Sequence, residues 1–252
     1  MRELYGNSFS GQNGINPRPK KRGNACRSET VDHNADSSAR LPNPNLADLS
    51  QPRAQAGGQP GGIRDAVPRA LQPAPLVRLC NALDAMFEAC GHLPEPSHSG
   101  VFARSMRVAL QEAAAHAALL TPAQREGSLQ TYRRHLLAAD RQGRYAIAAL
   151  VWLPGQASPV HAHHTWCGYA VLDGTLSETV FEWNDPEKCA SAARTQARER
   201  GAVSFVRSGR GSIHRLGNAS DAPAVSLHVY GVPGAQIGSH VNDVVPVAPA
   251  FV

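Results

Sequence analysis

The chain has 252 residues, 42% of them hydrophobic, and carries a formal net charge of +5. Its length allows one domain of ordinary size plus additional sequence. No segment approaches the length of a membrane-spanning helix and no apolar run follows the N-terminal charges, so we expect neither a membrane partner nor a signal peptide.

The N-terminal residues 1–72 are rich in Gly, Pro, Asn, Gln and Ser and lack a sustained apolar period. Such a segment buries too little apolar surface to offset the entropy lost on ordering. We therefore expect a disordered tail at 1–72 and a single domain at 73–252. The basic run at residues 17–22 has no interleaved aromatic residues, so we interpret it as a solvated segment and expect no nucleic-acid partner.

The cysteines are scattered without a Cys-x-x-Cys pair, at Cys26, Cys80, Cys90, Cys167 and Cys189. A chain of this size does not need disulfides to fold, so we expect a reduced, cytoplasmic setting. Cys80 and Cys90 fall on an apolar helical stretch, where a free thiol usually acts as a small buried hydrophobic group.

Apolar residues recur at three- and four-residue intervals from residue 75 to about residue 118, with a break at 91–100. This periodicity predicts two helices, and Thr121-Pro122 is typical of the start of another short helix. We expect residues 73–138 to form a helical cap that packs against a barrel formed by residues 139–252.

The remaining sequence predicts strands. Residues 144–153 are almost continuously apolar, as expected of a strand covered on both faces. Asp173-Gly174 separates two β-prone runs, at 165–172 and 175–183, and predicts that they form a hairpin. Further strands are predicted at residues 202–207 and 224–230.

The last of these strands has two different faces. Aliphatic residues alternate along it with Ser226, His228 and Tyr230. Because successive side chains of a strand point to opposite faces, one face is aliphatic and the other carries three hydrogen-bonding groups. A polar row of this kind, pointing into a barrel, predicts a site.

Three histidines have the spacing of metal ligands. His161 and His163 are two residues apart, and therefore share one face of a strand, whereas His164 points to the opposite face. His214 lies far downstream between glycines, and a small barrel would bring it beside the first pair. Three neutral imidazoles suit Zn, Cu, Fe or Ni and leave the cation its full charge, which favours thiolate or carboxylate ligands.

The spacing of these histidines resembles the two motifs of the cupin superfamily. The matching residues of the first motif are Gly155, His161, His163 and Gly174, and those of the second are Gly201, Gly211, His214 and Asn218. Cys167 stands where the first motif has Glu, and Gly209 stands where the second has Pro. The resemblance implies a mainly β fold, a cupin or double-stranded β-helix forming a small antiparallel barrel, with the N-terminal helical cap.

Over residues 132–231 the chain is similar more narrowly to the cysteine dioxygenases, as an arginine-type bacterial member. The resemblance implies an Fe(II) cofactor on the three histidines and oxidation of L-cysteine by O2 to cysteine sulfinate. It implies that Arg134, in the pattern Tyr132-x-Arg134, holds the substrate carboxylate. It also assigns catalytic roles to Ser226, His228 and Tyr230, which match a Ser-x-His-x-Tyr motif.

Cys167 carries a further implication of the resemblance. Animal members have a cysteine at this position that forms a thioether with the tyrosine of the last motif, so we predict that Cys167 lies near Tyr230 and crosslinks to it. The alternative is a buried free thiol. Ala162 replaces an acidic residue frequent between the two histidines of the family, which removes no ligand.

Several alternatives remain open. Related mercaptopropionate dioxygenases have Gln at the position of Arg134 and an arginine after the final tyrosine, and no arginine follows Tyr230 here, so cysteine is favoured over 3-mercaptopropionate and cysteamine. Arg133 is the alternative anchor. A zinc-dependent hydrolase or isomerase and a non-catalytic metal-binding cupin would use the same three histidines. We expect a monomer.

Overall fold

The computed structural model describes residues 74–249, so the tail predicted for residues 1–72 lies outside the described residues. Helix α1 (Pro75–Cys90) and helix α2 (Gly100–Ala114) come first. The strands follow as β1 (Arg133–Ala139), β2 (Ala146–Trp152), β3 (His161–His163), β4 (Cys167–Asp173), β5 (Thr175–Asn184), β6 (Cys189–Glu199), β7 (Val203–Val206), β8 (Gly209–Gly217), β9 (Ala224–Tyr230) and β10 (Asn242–Val244). Within the described part of the chain, no helix is both long and apolar enough to cross a membrane.

The two helices form where the apolar periodicity predicts them. Pro75 begins α1, and the Ser99 side chain caps α2 by accepting a hydrogen bond from the Val101 N–H. Short 3₁₀ helices follow, of which the one at Pro122–Arg125 is closed by a capping box between Thr121 and Gln124. Each long helix buries one apolar stripe, which consists of Leu79, Leu83 and Met86 in α1 and of Phe102, Met106 and Leu110 in α2.

The strands form two antiparallel five-stranded sheets. One sheet has the order β1-β2-β9-β4-β7, and the other has the order β10-β3-β8-β5-β6. This arrangement confirms the mainly β, double-stranded β-helix fold. The first sheet lies between the helices and the barrel interior, which explains why all seven residues of β2 are buried.

Strand β9 shows how this sheet separates core from cavity. Val225, Leu227 and Val229 pack into the same apolar cluster as the two helices. The alternate residues face the other way, into the barrel, where Tyr230 and His228 line a cavity. The alternation read from the sequence therefore predicts both faces of β9.

The hairpin predicted at Asp173-Gly174 is wrong. Strand β4 pairs with β7 and β9, whereas β5 pairs with β6 and β8, so the dipeptide is a corner between the two sheets. Gly174 has a φ of 68°, and a Cβ there would lie 2.9 Å from the Pro223 carbonyl oxygen. Asp-Gly supplies the left-handed backbone that hairpins and such corners both need, so the local signal does not distinguish them.

The barrel also begins earlier than the predicted boundary at residue 139. Strand β1 starts at Arg133 and pairs with β2 along its length, so part of the segment assigned to the cap, 73–138, belongs to the first sheet. β1 is the edge of that sheet and its burial is mixed. An edge strand that carries Arg, Arg and His at its start lacks the continuous apolar run by which β2 is recognised.

Candidate metal centre and cavity

The three predicted histidines come together in the second sheet. His161 and His163 lie on β3, and His214 lies on β8 directly opposite His161 in the antiparallel register. Their candidate ligand nitrogens all lie within 4.8 Å of one another, and the three residues are buried. The i, i+2 spacing places two rings on one face of β3, and the pairing of β3 with β8 supplies the third.

Hydrogen bonds orient two of the three rings. Nδ1 of His161 lies 2.9 Å from the Pro159 carbonyl oxygen, and Nδ1 of His214 lies 2.9 Å from Oε1 of Glu178. Because a carbonyl and a carboxylate only accept, Nδ1 carries a proton in both rings, and Nε2 is the nitrogen left for a cation. Nδ1 of His163 is buried without a hydrogen-bond partner. These imidazoles therefore fit a divalent transition metal.

Burial keeps two of the three imidazoles neutral, those of His161 and His163. Burial, followed by the neighbouring His214, lowers the pKa of His161 to about 3. Burial, followed by His161 and His214, lowers the pKa of His163 to about 2. Both rings are therefore unprotonated at neutral pH, and their lone pairs are available to a cation without release of a proton.

Glu178 is a residue of the site that sequence reasoning missed. It lies on β5 and is buried, and besides His214 it accepts a hydrogen bond from Nε2 of Gln196 at 2.8 Å. Burial raises the pKa of this carboxyl, but the hydrogen bonds from His214 and Gln196 and the Arg198 guanidinium outweigh it and lower the pKa to about 2. The sequence signal that could have found Glu178 is strand alternation. Glu178 lies two residues after Leu176, so the two side chains share the inward face of β5.

The polar row of β9 lies beside the histidine cluster. Ser226 Oγ accepts a hydrogen bond from Trp152 Nε1 and lies 2.9 Å from His228 Nε2. The rings of His228 and Tyr230 are stacked, with centroids 5.5 Å apart. Burial, followed by the charge of Arg134, lowers the pKa of His228 well below its usual value, and burial raises the pKa of the Tyr230 phenol. Tyr230 is therefore protonated at neutral pH and able to donate a hydrogen bond.

Arg134 enters the same cavity from β1. Its Nη1 donates a hydrogen bond of 2.9 Å to the Ile237 carbonyl, and its guanidinium carbon lies about 6 Å from the ring centroids of Tyr132 and Tyr230. Nε of Arg134 is buried and has no hydrogen-bond partner. The preceding Arg133 is exposed and is not part of the cavity lining. The alternation of β1 thus turns Arg134, rather than Arg133, toward the histidines.

The three histidines and Arg134 line one cavity. Its lining brings together almost every site residue that the sequence predicts, namely Tyr132, Arg134, His161, His163, Cys167, His214, His228 and Tyr230. Ser226 is not in the lining and contacts the site through His228. The ring of Tyr132 stacks on Trp152, with centroids 4.4 Å apart, which fixes one wall.

Cys167 is a direct neighbour of Tyr230. The two residues are paired across β4 and β9. The thiol is buried, its Sγ lies 3.9 Å from Nδ1 of His228, and burial raises its pKa. It is therefore a protonated thiol beside a phenol.

Two antiparallel sheets around a buried cluster of three imidazoles give this protein a double-stranded β-helix fold with a candidate metal site. Residues 124–242 match the family model "Cysteine dioxygenase type I". The matched residues include every residue assigned above to the cluster and the cavity, so the candidate site is similar to the cysteine dioxygenase family.

Curated relatives similar to this chain carry the name of the same family. The chain is 32% identical over 107 residues to "Cysteine dioxygenase type 1" of Danio rerio, and 31% identical over 105 residues to the Rattus norvegicus and Homo sapiens proteins of the same name. Each match covers 40% of this chain and 52% of the relative. The chain thus spans about half the length of these relatives.

Solved structures similar to this one have low identity. A Thermus thermophilus protein is 22% identical with a TM-score of 0.35, and the match covers 45% of this chain and 96% of that chain. A cupin 2 conserved barrel domain protein from Salinispora arenicola is 17% identical with a TM-score of 0.31, and the match covers 42% of this chain and 80% of that one.

Proposed function

We propose that this protein is a non-haem Fe(II)-dependent thiol dioxygenase that oxidises L-cysteine with O2 to cysteine sulfinate. The observation that supports it best is the placement of Arg134 in the same cavity as the three imidazoles, with a buried Nε that has no partner. A neutral ligand set and a guanidinium in one small cavity suit a substrate that carries a thiolate and a carboxylate.

Arg134 is the proposed anchor of the substrate carboxylate. Nη1 of its guanidinium already donates a hydrogen bond to the Ile237 carbonyl, and this contact orients the guanidinium. Nε is left to donate, and a carboxylate is the acceptor that matches a guanidinium in a paired geometry. The position of Arg133 outside the cavity supports Arg134 as the anchor.

His161, His163 and His214 are the proposed ligands of iron. When bound, Fe(II) would supply the centre at which the substrate thiolate meets O2, so that both oxygen atoms end on sulfur. The imidazoles add no charge, so the dication attracts the thiolate strongly. Nδ1 of His161 is hydrogen-bonded to the Pro159 carbonyl, and Nδ1 of His214 to Glu178. Nε2 of each ring is therefore the atom that would coordinate the metal.

Tyr230 is the proposed hydrogen-bond donor to the substrate. Its phenol is protonated and lines the cavity with Arg134, so it donates either to the carboxylate or to the oxygen added to sulfur. His228 supports the tyrosine ring by stacking, and Ser226 holds His228 through a hydrogen bond. Cys167 restricts the tyrosine from the neighbouring strand.

The test is reconstitution with Fe(II) under anaerobic conditions, followed by oxygen uptake with L-cysteine, 3-mercaptopropionate and cysteamine. Arg134→Gln is expected to raise KM for L-cysteine ~30-fold or more, because an unpaired carboxylate in an enclosed cavity costs about 2 kcal/mol or more. Cysteamine has no carboxylate, so its KM is expected to change little. Arg133→Gln is the matched control and is expected to leave both values unchanged.

Two results would contradict this function. An equal KM for L-cysteine in wild type and Arg134→Gln would remove the anchor from the mechanism. Activity or ligand binding with zinc, but no oxygen uptake with iron, would favour the alternative of a zinc-dependent hydrolase or isomerase, or of a non-catalytic metal-binding cupin. Elemental analysis of the purified protein distinguishes iron from zinc.

We also propose that the protein is a cytoplasmic monomer. Within residues 74–249, Cys80, Cys90 and Cys167 are free thiols, as a reducing compartment favours, whereas Cys189 is disulfide-bonded, contrary to the fully reduced state expected from the sequence. Light scattering coupled to gel filtration measures the mass in solution, and a value near twice that of one chain would contradict the monomer. Fractionation of cells measures the location.

A further inference from the structure

The three imidazoles are not equivalent in their surroundings. Nδ1 of His161 contacts a neutral carbonyl, and Nδ1 of His163 has no partner, whereas Nδ1 of His214 contacts the Glu178 carboxylate. Among the described residues 74–249, Glu178 is the one carboxylate hydrogen-bonded to this cluster. A carboxylate acceptor draws the Nδ1 proton and makes Nε2 a stronger donor toward a cation than a carbonyl acceptor does.

Glu178 is itself held from several directions. Oε1 accepts from His214, while Oε2 accepts from Gln196 Nε2 at 2.8 Å and lies 3.6 Å from Arg198 Nε. Gln196 and Arg198 are i, i+2 neighbours on β6, and the pairing of β6 with β5 places both beside the carboxylate. Arg198 is fixed in turn by its hydrogen bond to the Val203 carbonyl. The carboxylate therefore has little freedom to rotate away from His214.

We propose that Glu178 is a positioning residue that sets the tautomer and the ring orientation of His214, and that Gln196 and Arg198 hold Glu178 in place. This inference rests on the proposed metal site and extends it to a layer of buried polar residues supplied by β5 and β6. Since β5 and β6 carry none of the three histidines, these strands become part of the metal site only through this layer.

The variants for the test are Glu178→Gln, which keeps the shape and one acceptor oxygen but removes the charge, and Glu178→Ala, which removes the acceptor. Glu182→Gln is the matched control, because Glu182 lies on the same strand and is exposed. Co(II) is the probe, since its binding is read from its absorption spectrum without turnover. Removal of such a carboxylate is expected to weaken Co(II) binding 10- to 100-fold, with Glu182→Gln unchanged.

A second readout separates positioning from a merely structural role. In the metal-free protein with ¹⁵N-labelled histidine, His214 is expected to be the Nδ1–H tautomer in wild type and a mixture of tautomers in Glu178→Ala. Thermal unfolding of the metal-free variants measures any general loss of stability. If Glu178→Ala does not fold, Glu178→Gln replaces it in both measurements.

The outcomes distinguish this inference from the proposed function. Wild-type affinity for Co(II) together with an unchanged His214 tautomer in either Glu178 variant would overturn the positioning role. Absence of Co(II) binding by wild type would contradict the metal site instead, and the tautomer spectra of the metal-free protein would then decide the role of Glu178. Absence of oxygen uptake by the iron-loaded wild type would contradict the dioxygenase without affecting either readout.

Discussion

At the scale of single residues, the site contains buried polar groups, some of which have hydrogen-bond partners and some of which do not. His214 and Glu178 satisfy each other, while Nε of Arg134 and Nδ1 of His163 are buried without partners. A buried polar atom left unpaired costs free energy, so such atoms are kept where a ligand completes them. Arg134 lines the cavity, where a substrate carboxylate would supply the partner that its Nε lacks.

Cys167 and Tyr230 provide a prediction at this scale. Because the two residues are paired across β4 and β9, turnover in the presence of O2 is expected to join Sγ to the tyrosine ring. The oxidant is O2, and the joined pair is lighter by two hydrogen atoms. Trypsin is expected to release Cys167 in the fragment 145–188 and Tyr230 in the fragment 216–252, so a crosslink appears as the sum of these fragments less two hydrogens in the mass spectrum.

Cys167→Ser is the control for this experiment, since it keeps the size of the side chain and is expected to show no joined fragment. Normal activity of wild type with the two fragments always separate would show that Cys167 is a buried free thiol and that the thioether has no function.

At the scale of elements, the helical cap and the cavity are connected through the first sheet. Strand β9 packs Leu227 against the helices with one face and presents His228 to the cavity with the other. Strand β4 likewise packs against α2 with one face, and it pairs with the strand that carries Tyr230. A change in how the helices pack is therefore transmitted to the tyrosine and the thiol, because closely packed cores do not absorb displacement.

Gly168 is a point of close packing between α2 and β4. A Cβ at this position would lie 2.9 Å from both Leu110 Cδ1 and Met106 Cγ, so the glycine allows α2 to approach β4. Gly168→Ala is expected to lower the free energy of unfolding by about 1–3 kcal/mol, as for other overpacked cores. Urea denaturation measures the change. Gly211→Ala is the matched control on a strand, because a Cβ there has no atom within 4 Å, and an equal effect of both substitutions would refute the packing argument.

At the scale of the whole molecule, an ion-pair cluster connects the cap to the barrel. Arg144, just before β2, donates hydrogen bonds to Asp140 and to Asp84 of α1, and it lies over the ring of Phe87. Tyr145 donates a second hydrogen bond to Asp84. These contacts join residues about 60 positions apart in the chain, and therefore stabilise the docking of α1 rather than any one element.

Asp140 gives this cluster a pH dependence. The hydrogen bonds from Arg144 lower the pKa of Asp140 to about 2, below the value of about 4 expected in the unfolded chain. The contribution of ionised Asp140 to the stability of the folded state is therefore fully present above pH about 4 and is lost as the pH falls toward 2. Asp140→Asn is expected to lower the free energy of unfolding by about 1 kcal/mol at pH 7, and the difference from wild type is expected to shrink below pH 4.

Urea titrations of both proteins at several pH values test this expectation. Asp221→Asn, at an exposed position, is the control and is expected to match wild type throughout. A difference for Asp140→Asn that grows as the pH falls would show that the carboxylate does not stabilise the folded state through Arg144.

The sequence by itself determined the features that depend on local periodicity. The i, i+2 spacing of His161 and His163, the two faces of β9 and the helical stripes follow from the geometry of a strand or helix, and the structure places them as predicted. Only the tertiary structure decided which strands pair. It separated β4 from β5 at Asp173-Gly174, and it brought Glu178 to His214, 36 residues away. Partners so distant are selected by the packing of whole sheets, for which a local pattern contains no signal.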